Sequence, residues 1–189
     1  MATAKGRLMR SRLIKIISGL IAFSAVYATD VSGNISSNTI WSLANSPYVV
    51  TGNILVASGV TLTIEAGVTV KFDSEKVFQV KGTLIARGTS SSKITFTSNV
   101  SSPAAGDWGN LQFFDESTDA SFSGSTYTSG SIMEYCIVEY GTGLYIEKSS
   151  PFIYYSEFRY NSSYGIKTEN PNTTTLLWVT QCDIHDNPI

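Results

Sequence analysis

The sequence predicts an all-β solenoid, and three features carry that expectation. Residues 59–72 read GVTLTIEAGVTVKF, nearly one phrase written twice, in which Val60, Leu62 and Ile64 and then Val68, Val70 and Phe72 alternate with polar residues. Such alternation marks strands with one buried and one solvated face. Groups of these strands recur every 20 to 32 residues, the spacing of stacked structural repeats. The chain is also rich in Ser, Thr, Gly, Asn, Tyr, Val and Ile, and only 15% of it is charged, a composition that disfavours long helices.

At the N-terminus, Lys5, Arg7, Arg10 and Arg12 precede an apolar run over residues 16–26, and Val26 and Ala28 occupy the small-residue places of a cleavage site. Residues 1–28 therefore read as a secretory signal peptide. The run is about half the ~20 apolar residues a bilayer span needs, and no later segment is apolar enough, so no membrane span is expected after signal removal. Cleavage would remove five of 13 basic residues and no acidic one, leaving eight against 15, a net charge of −7 on 161 residues. Such a surface does not attract nucleic acid or anionic lipid. The expected location is secreted, extracellular or at the cell surface.

Residues 29–49 are polar, with Trp41 and Pro47, and are expected to cap the first coil, since an open strand edge invites pairing. From residue 50 the strands begin to repeat. Val50, Gly52, Ile54 and Val56 align with Val80, Gly82, Leu84 and Ala86, 30 residues on; Leu62 and Ile64 then align with Ile94 and Phe96, and Val70 and Phe72 with Leu111 and Phe113. The repeating unit is three short strands joined by glycine-containing corners, and Glu65-Ala66-Gly67 is one such corner. Hairpins would need tight Asn-Gly or Asp-Gly turns, which this part of the chain lacks, so parallel winding is expected.

The C-terminal half repeats in a second pattern. YCIVEYGTGLYIE (135–147) aligns with YSEFRYNSSYGIKTE (155–169), and QCDIHDN (181–187) with the start of both, at offsets of 20 and 26. Cys136, Ser156 and Cys182 share one inward place, Val138, Phe158 and Ile184 the next. Cysteines two coils apart lie about 9 to 10 Å from each other by strand spacing, beyond the ~7 Å a disulfide tolerates, so two unpaired thiols are expected as small apolar fillers. Gly141, Asn161 and Asn187 share one corner, where Gly and Asn tolerate a left-handed backbone.

These motifs resemble the secreted right-handed parallel β-helix proteins with the pectin-lyase-like fold. YCIVEYGTG and QCDIHDN look like that family's coil repeat, and WSLANSPYVVTGNILVASGVTLTIEAGVTVKF resembles the N-terminal segment of many surface proteins of this fold. The resemblance covers roughly residues 40–189 and implies a right-handed parallel β-helix of about five coils over 50–189. It also implies a structural asparagine ladder at the shared corner. The fold hosts lyases, hydrolases, adhesins and non-catalytic modules. The chain stops just after a coil motif with no polar closing segment, so it is read as continuing beyond Ile189, with further coils or domains of the same chain as partners.

His185 is the one histidine, and it stacks outward in the ladder Glu139, Arg159, His185, beside Ile137, Glu157, Asp183. His185, Arg159 and Glu139 are therefore the candidates for acid–base chemistry, and Glu157 with Asp183 the candidates for holding Ca²⁺. A solvated charge ladder on a sheet face explains the same residues more simply. The resemblance would imply, for a polygalacturonase-like site, an aspartate cluster with Gly-His-Gly and Arg-x-Lys; the mature part has none of these. Asp115, Glu116 and Asp119 read as a polar loop. Signatures for nucleophiles, zinc and phosphate are also absent, which favours binding over catalysis.

Eight of the ten tyrosines fall within residues 127–164. Consecutive residues of a strand point to opposite faces, so one of Tyr154 and Tyr155 should face out; with Tyr160 they are the candidate binding residues, suited to stack on sugar rings. Sequons at Asn34, Asn99, Asn161 and Asn172 matter only in a host that glycosylates them. The functional expectation is a secreted structural and binding module for extracellular polysaccharide. A polysaccharide lyase or glycoside hydrolase with a poorly marked site, and an adhesin displaying loops 98–107 and 116–131, are the alternatives.

Overall fold

The computed structural model describes residues 28–169 and 176–188. The expected signal peptide therefore lies outside the described residues except for Ala28, as do Asn172 and most of the polar stretch 169–175.

The chain winds in one sense around a three-sided column. β1 (Thr29–Ile35) and β2 (Thr39–Trp41) lead through a 3₁₀ turn at Leu43–Asn45 into β3 (Tyr48–Val56) and β4 (Thr61–Ile64). The next turns are β5 (Thr69–Phe72), β6 (Phe78–Val80) and β7 (Thr83–Arg87), then β8 (Ile94–Ser98) and β9 (Asn110–Phe113). A hairpin, β10 (Ser121–Ser123) and β11 (Thr126–Ser129), interrupts this turn before β12 (Ile132–Glu134) completes it. β13 (Cys136–Glu139), β14 (Gly143–Glu147) and β15 (Phe152–Tyr154) form the next, followed by β16 (Glu157–Arg159), β17 (Ile166–Glu169) and β18 (Trp178–Thr180). β19 (Asp183–His185) begins another.

Outside the β10–β11 hairpin, every pair of named strands among the described residues is parallel. One face carries the first half of β3 with β5, β8, β13, β16 and β19; a second carries the latter half of β3 with β6, β9, β14 and β17; a third carries β2, β4, β7, β12, β15 and β18. The fold is a parallel β-helix. Among the described residues no helix is long and apolar enough to cross a membrane.

Segment 29–49, expected to cap the first coil, lies on it as strands: Val31 pairs with Val50, Ile35 with Val56 and Trp41 with Ile64. The register of the first repeats is shorter by one face than the 30-residue alignment. Val50 stacks on Phe72, Ile54 on Phe78, Leu62 on Leu84, and Val70 on Phe96. The alternation of apolar and polar residues is the same on all three faces, so a slip of one whole face preserves the pattern that guided the alignment.

The inward residues make one continuous core. Trp41, Val50, Leu62, Phe72, Phe78, Leu84, Phe96, Leu111, Phe113, Met133 and Phe158 are all buried within a single cluster. Phe78 meets Phe72 and Phe96 edge-on at 6.4 and 6.1 Å, and Trp108 closes the corner after the 99–107 loop by stacking on Phe72 at 4.0 Å. Its indole N–H donates to the Glu139 carbonyl at 2.9 Å.

The C-terminal register is the one expected: Ile137, Glu157 and Asp183 form one column and Val138, Phe158 and Ile184 the next. Each of these strands is bracketed by left-handed residues: Tyr135, Tyr155 and Gln181 before it, Tyr140, Tyr160 and Asp186 after it. A left-handed tyrosine is uncommon; here the rings stack, Tyr135 on Tyr155 at 4.9 Å and Tyr140 on Tyr160 at 5.6 Å, which offsets part of the backbone cost. Gly143, at φ +127°, has no such choice, because a Cβ there would lie 2.1 Å from the Tyr164 carbonyl oxygen.

Candidate functional site

The outer surface of the third face is apolar. Its outward column runs Ile85, Ile132, Phe152, Trp178; the corresponding column of the first face, Thr95, Ile137, Glu157 and Asp183, carries one apolar residue only. Because Met133 and Ile153 fill the core from the same strands, β12 and β15 are apolar on both sides. A strand apolar on both sides needs a cover.

The β10–β11 hairpin is that cover. Phe122 stacks on Trp178 at 4.5 Å and meets Phe152 edge-on at 5.1 Å, while Tyr127 lies over Phe152 at 6.1 Å. Its base is tied to the column: Ala120 N–H donates to the Ser150 carbonyl and Ser150 N–H to the Asp119 carboxylate at 2.6 Å, while within the hairpin the Tyr127 hydroxyl donates to the Gly130 carbonyl at 2.7 Å. Segment 116–131, expected as a displayed loop, is thus folded down onto the sheet. The 98–107 loop is also pinned, Asp107 accepting from the Ser98 hydroxyl at 2.7 Å and the Ala104 N–H at 2.9 Å.

Between the hairpin and the corner that follows β15 and β18 lies an open groove of about 580 Å³, walled by Tyr127, Tyr154, Tyr155, Trp178, Arg87 and Glu134, with Thr126, Thr180 and Gln181 at its edges. A second hollow of about 460 Å³ flanks the other side of the hairpin, lined by Thr61, Thr83 and Thr118 and sharing Arg87 and Tyr127. Arg87 donates from Nε to Glu134 at 2.7 Å and lies over the Tyr127 ring at 5.6 Å. Burial in this wall, outweighing the Arg87 charge, raises the Tyr127 phenol above its ordinary value. The Tyr154 phenol is raised chiefly by its hydrogen bond with Tyr155.

Of the expected binding residues, Tyr154 and Tyr155 line this groove and Tyr160 does not. The two neighbours do not point to opposite faces: β15 ends at Tyr154, Tyr155 is left-handed at φ +45°, and the rings sit 4.2 Å apart outside the column. Strand alternation fails where a corner begins. Tyr160 stacks on Tyr140 at the far end of the neighbouring strand. The clustering of tyrosines does not single out Trp178, Phe122, Phe152, Arg87 and Glu134, nor Tyr127 within the cluster; the strings IME, FIY and WVT, apolar on both strand faces, hold the signal for the covered column.

The structure brings His185, Arg159 and Glu139 into one cluster on the first face, together with Glu157 and Lys93. Arg159 binds Glu139 at 2.8 Å and also binds Glu157. Glu157 further receives Lys93 at 3.1 Å and His185 at 3.3 Å, and Glu139 accepts the Thr97 hydroxyl at 2.9 Å. His185 contacts Asp186 at 2.8 Å and Asp183 at 4.0 Å. Burial raises the Glu157 carboxyl, but hydrogen bonds from Lys93 and His185 and the Arg159 charge prevail and hold it below its ordinary value. Burial lowers Arg159, and Glu139 with Glu157 reverse this to raise it. His185 is raised, first by Asp186 and then by Glu157. Around Glu157, Lys93 and Arg159 supply positive charge, to which His185 adds when protonated, and Asp183 lies 4.0 Å from His185.

Known proteins give the arrangement a setting. Protein bark beetle of Drosophila melanogaster is 39% identical over 75 residues, a match covering 40% of this chain and 2% of that protein's length. No solved structure matches. Residues 33–181 match the family described as Pectate-lyase like beta helix domain, from the first bend of β1 to the corner that closes the groove. The chain belongs to the pectate-lyase-like β-helix family.

Proposed function

We propose that this chain is an exported β-helix module that holds extracellular polysaccharide in the groove along its third face. The observation that carries the reading is the wall made by Tyr127, Tyr154, Tyr155 and Trp178 beside the hydroxyls and amide of Thr126, Thr180 and Gln181. Pyranose rings present C–H faces that pack on aromatic rings, while their hydroxyls need donors and acceptors at the edges. A groove of about 580 Å³ that is open to solvent along the surface has the size of a small-ligand site. Arg87 and Glu134 are locked together and give the wall a rigid polar rim. Membership of the pectate-lyase-like family agrees with a polysaccharide-related role.

Affinity electrophoresis of the chain through gels containing soluble plant and microbial polysaccharides tests this. Retardation by at least one polymer, weakened about tenfold or more by Trp178→Ala and Tyr155→Ala with the strand circular dichroism unchanged, is the expected result. Equal mobility in every gel would remove the reading. The lyase or hydrolase alternative would act through His185, Arg159 and Glu139, whose charges are already engaged with each other and with Glu157 and Asp186; release of reducing ends or unsaturated products in the same mixtures would restore it.

A further inference from the structure

Arg87 and Glu134 are the charged side chains of the groove lining, and they neutralise each other at 2.7 Å. The rest of their outward column continues as Tyr154 and Thr180, without charge. Ser125, Thr126, Thr180 and Gln181 add neutral donors and acceptors. Arg87 is further committed by its place over the Tyr127 ring, and Glu134 is the more buried partner, with 16% of its side chain exposed against 52% for Arg87.

We infer that the groove takes a neutral polysaccharide and discriminates against polyuronates, an inference that rests on the reading of the groove as a glycan site. A polyuronate brings a carboxylate on every ring. Seating one here places negative charge beside Glu134, and Arg87 can turn its Nη donors to that carboxylate only while its single charge is shared with Glu134; drawing Arg87 away altogether leaves Glu134 unpaired in a half-buried wall. The chain as a whole carries a formal charge of −2, which adds long-range repulsion toward a polyanion. A neutral ring meets none of these costs, and it uses the aromatic wall and hydroxyl partners fully.

The experiment measures binding of the native chain and of Glu134→Gln, Arg87→Gln and Trp178→Ala to arabinoxylan, galactomannan and mixed-linkage glucan on one side. Polygalacturonate and alginate form the other side, at low and high salt. Native chain should bind at least one neutral polymer about tenfold or more tightly than either polyuronate, with little salt dependence. Glu134→Gln, which leaves the Arg87 charge uncommitted, should improve polygalacturonate binding about tenfold in a salt-sensitive way. Should Glu134→Gln not fold, the panel on native chain decides alone. Polyuronate bound by native chain as tightly as any neutral polymer, and lost in Arg87→Gln, would overturn the inference while leaving the groove a glycan site. Binding of no polymer at all overturns both.

Discussion

Asn187 accepts both amide donors of Asn161 with one oxygen: its Oδ1 lies 3.0 Å from the Asn161 backbone nitrogen and 3.0 Å from Nδ2. Asn161 in turn accepts the Gly141 N–H at 3.1 Å and donates to the Val138 carbonyl at 3.1 Å. Each corner amide is thus satisfied by the turn above it. Asn161 is 1% exposed, so Asn161→Ala strands the Gly141 N–H and the Val138 carbonyl in a dry corner. A cost of about 2–4 kcal/mol in chemical denaturation is expected, and a loss within 0.5 kcal/mol, about the effect of a surface change, would show that water replaces the ladder.

The first-face charge cluster sets a pH window. Glu157 is held below 4.5, so its stabilisation is full above that value and disappears as pH falls through the lowered folded pKa. His185 is held above 6.5, so its contribution is full below that value and disappears as pH rises through the raised folded pKa. Together they favour the last turns most between pH 4.5 and 6.5. The thermal midpoint of native chain should decline above this window more than that of His185→Gln; parallel curves for the two would dissociate His185 from the alkaline loss.

Both thiols are unpaired, Cys136 buried and Cys182 half-buried. Burial raises each thiol, Cys136 strongly, so little thiolate is present at neutral pH. An aromatic disulfide reagent should leave Cys136 untouched in the folded chain, modify Cys182 slowly, and titrate both in denaturant without a reductant. A denatured, unreduced chain with no reactive thiol would contradict the register of Cys136, Ser156 and Cys182.

Trp108 and Phe122 separate column from cover. Trp108→Ala removes a buried stack on Phe72 and a hydrogen bond to Glu139, and should cost about 3–5 kcal/mol. Phe122→Ala touches only the hairpin cover over Phe152 and Trp178; it should open 116–131 to limited proteolysis and weaken glycan retention while the column still unfolds cooperatively. Equal losses of midpoint in the two variants would mean that hairpin and column fold as one unit.

The legible part of the fold was its alternation and its C-terminal repeat. YCIVEY, YSEFRY and QCDIHD register correctly because each carries its own corner markers, the left-handed residues at both ends and the Gly or Asn beyond. Around residues 50–113 the left-handed residues Gly59, Gly67, Glu75 and Gly106 do not bracket each strand of one face, so alternation alone allows a slip of one face. The tyrosine clustering points to Tyr154 and Tyr155, yet their common orientation depends on the backbone turning left-handed at Tyr155, which strand periodicity does not encode.

What the sequence by itself determined is the column: alternating apolar residues and small corners suffice for parallel coils, since burial is a local property of each strand. What only the tertiary structure decided is the groove. Arg87 and Glu134 are 47 residues apart, and Phe122 reaches Trp178 across two turns of the helix. The winding length of each turn and the folding back of one hairpin set these contacts, and both follow from which faces need cover once the coils are stacked.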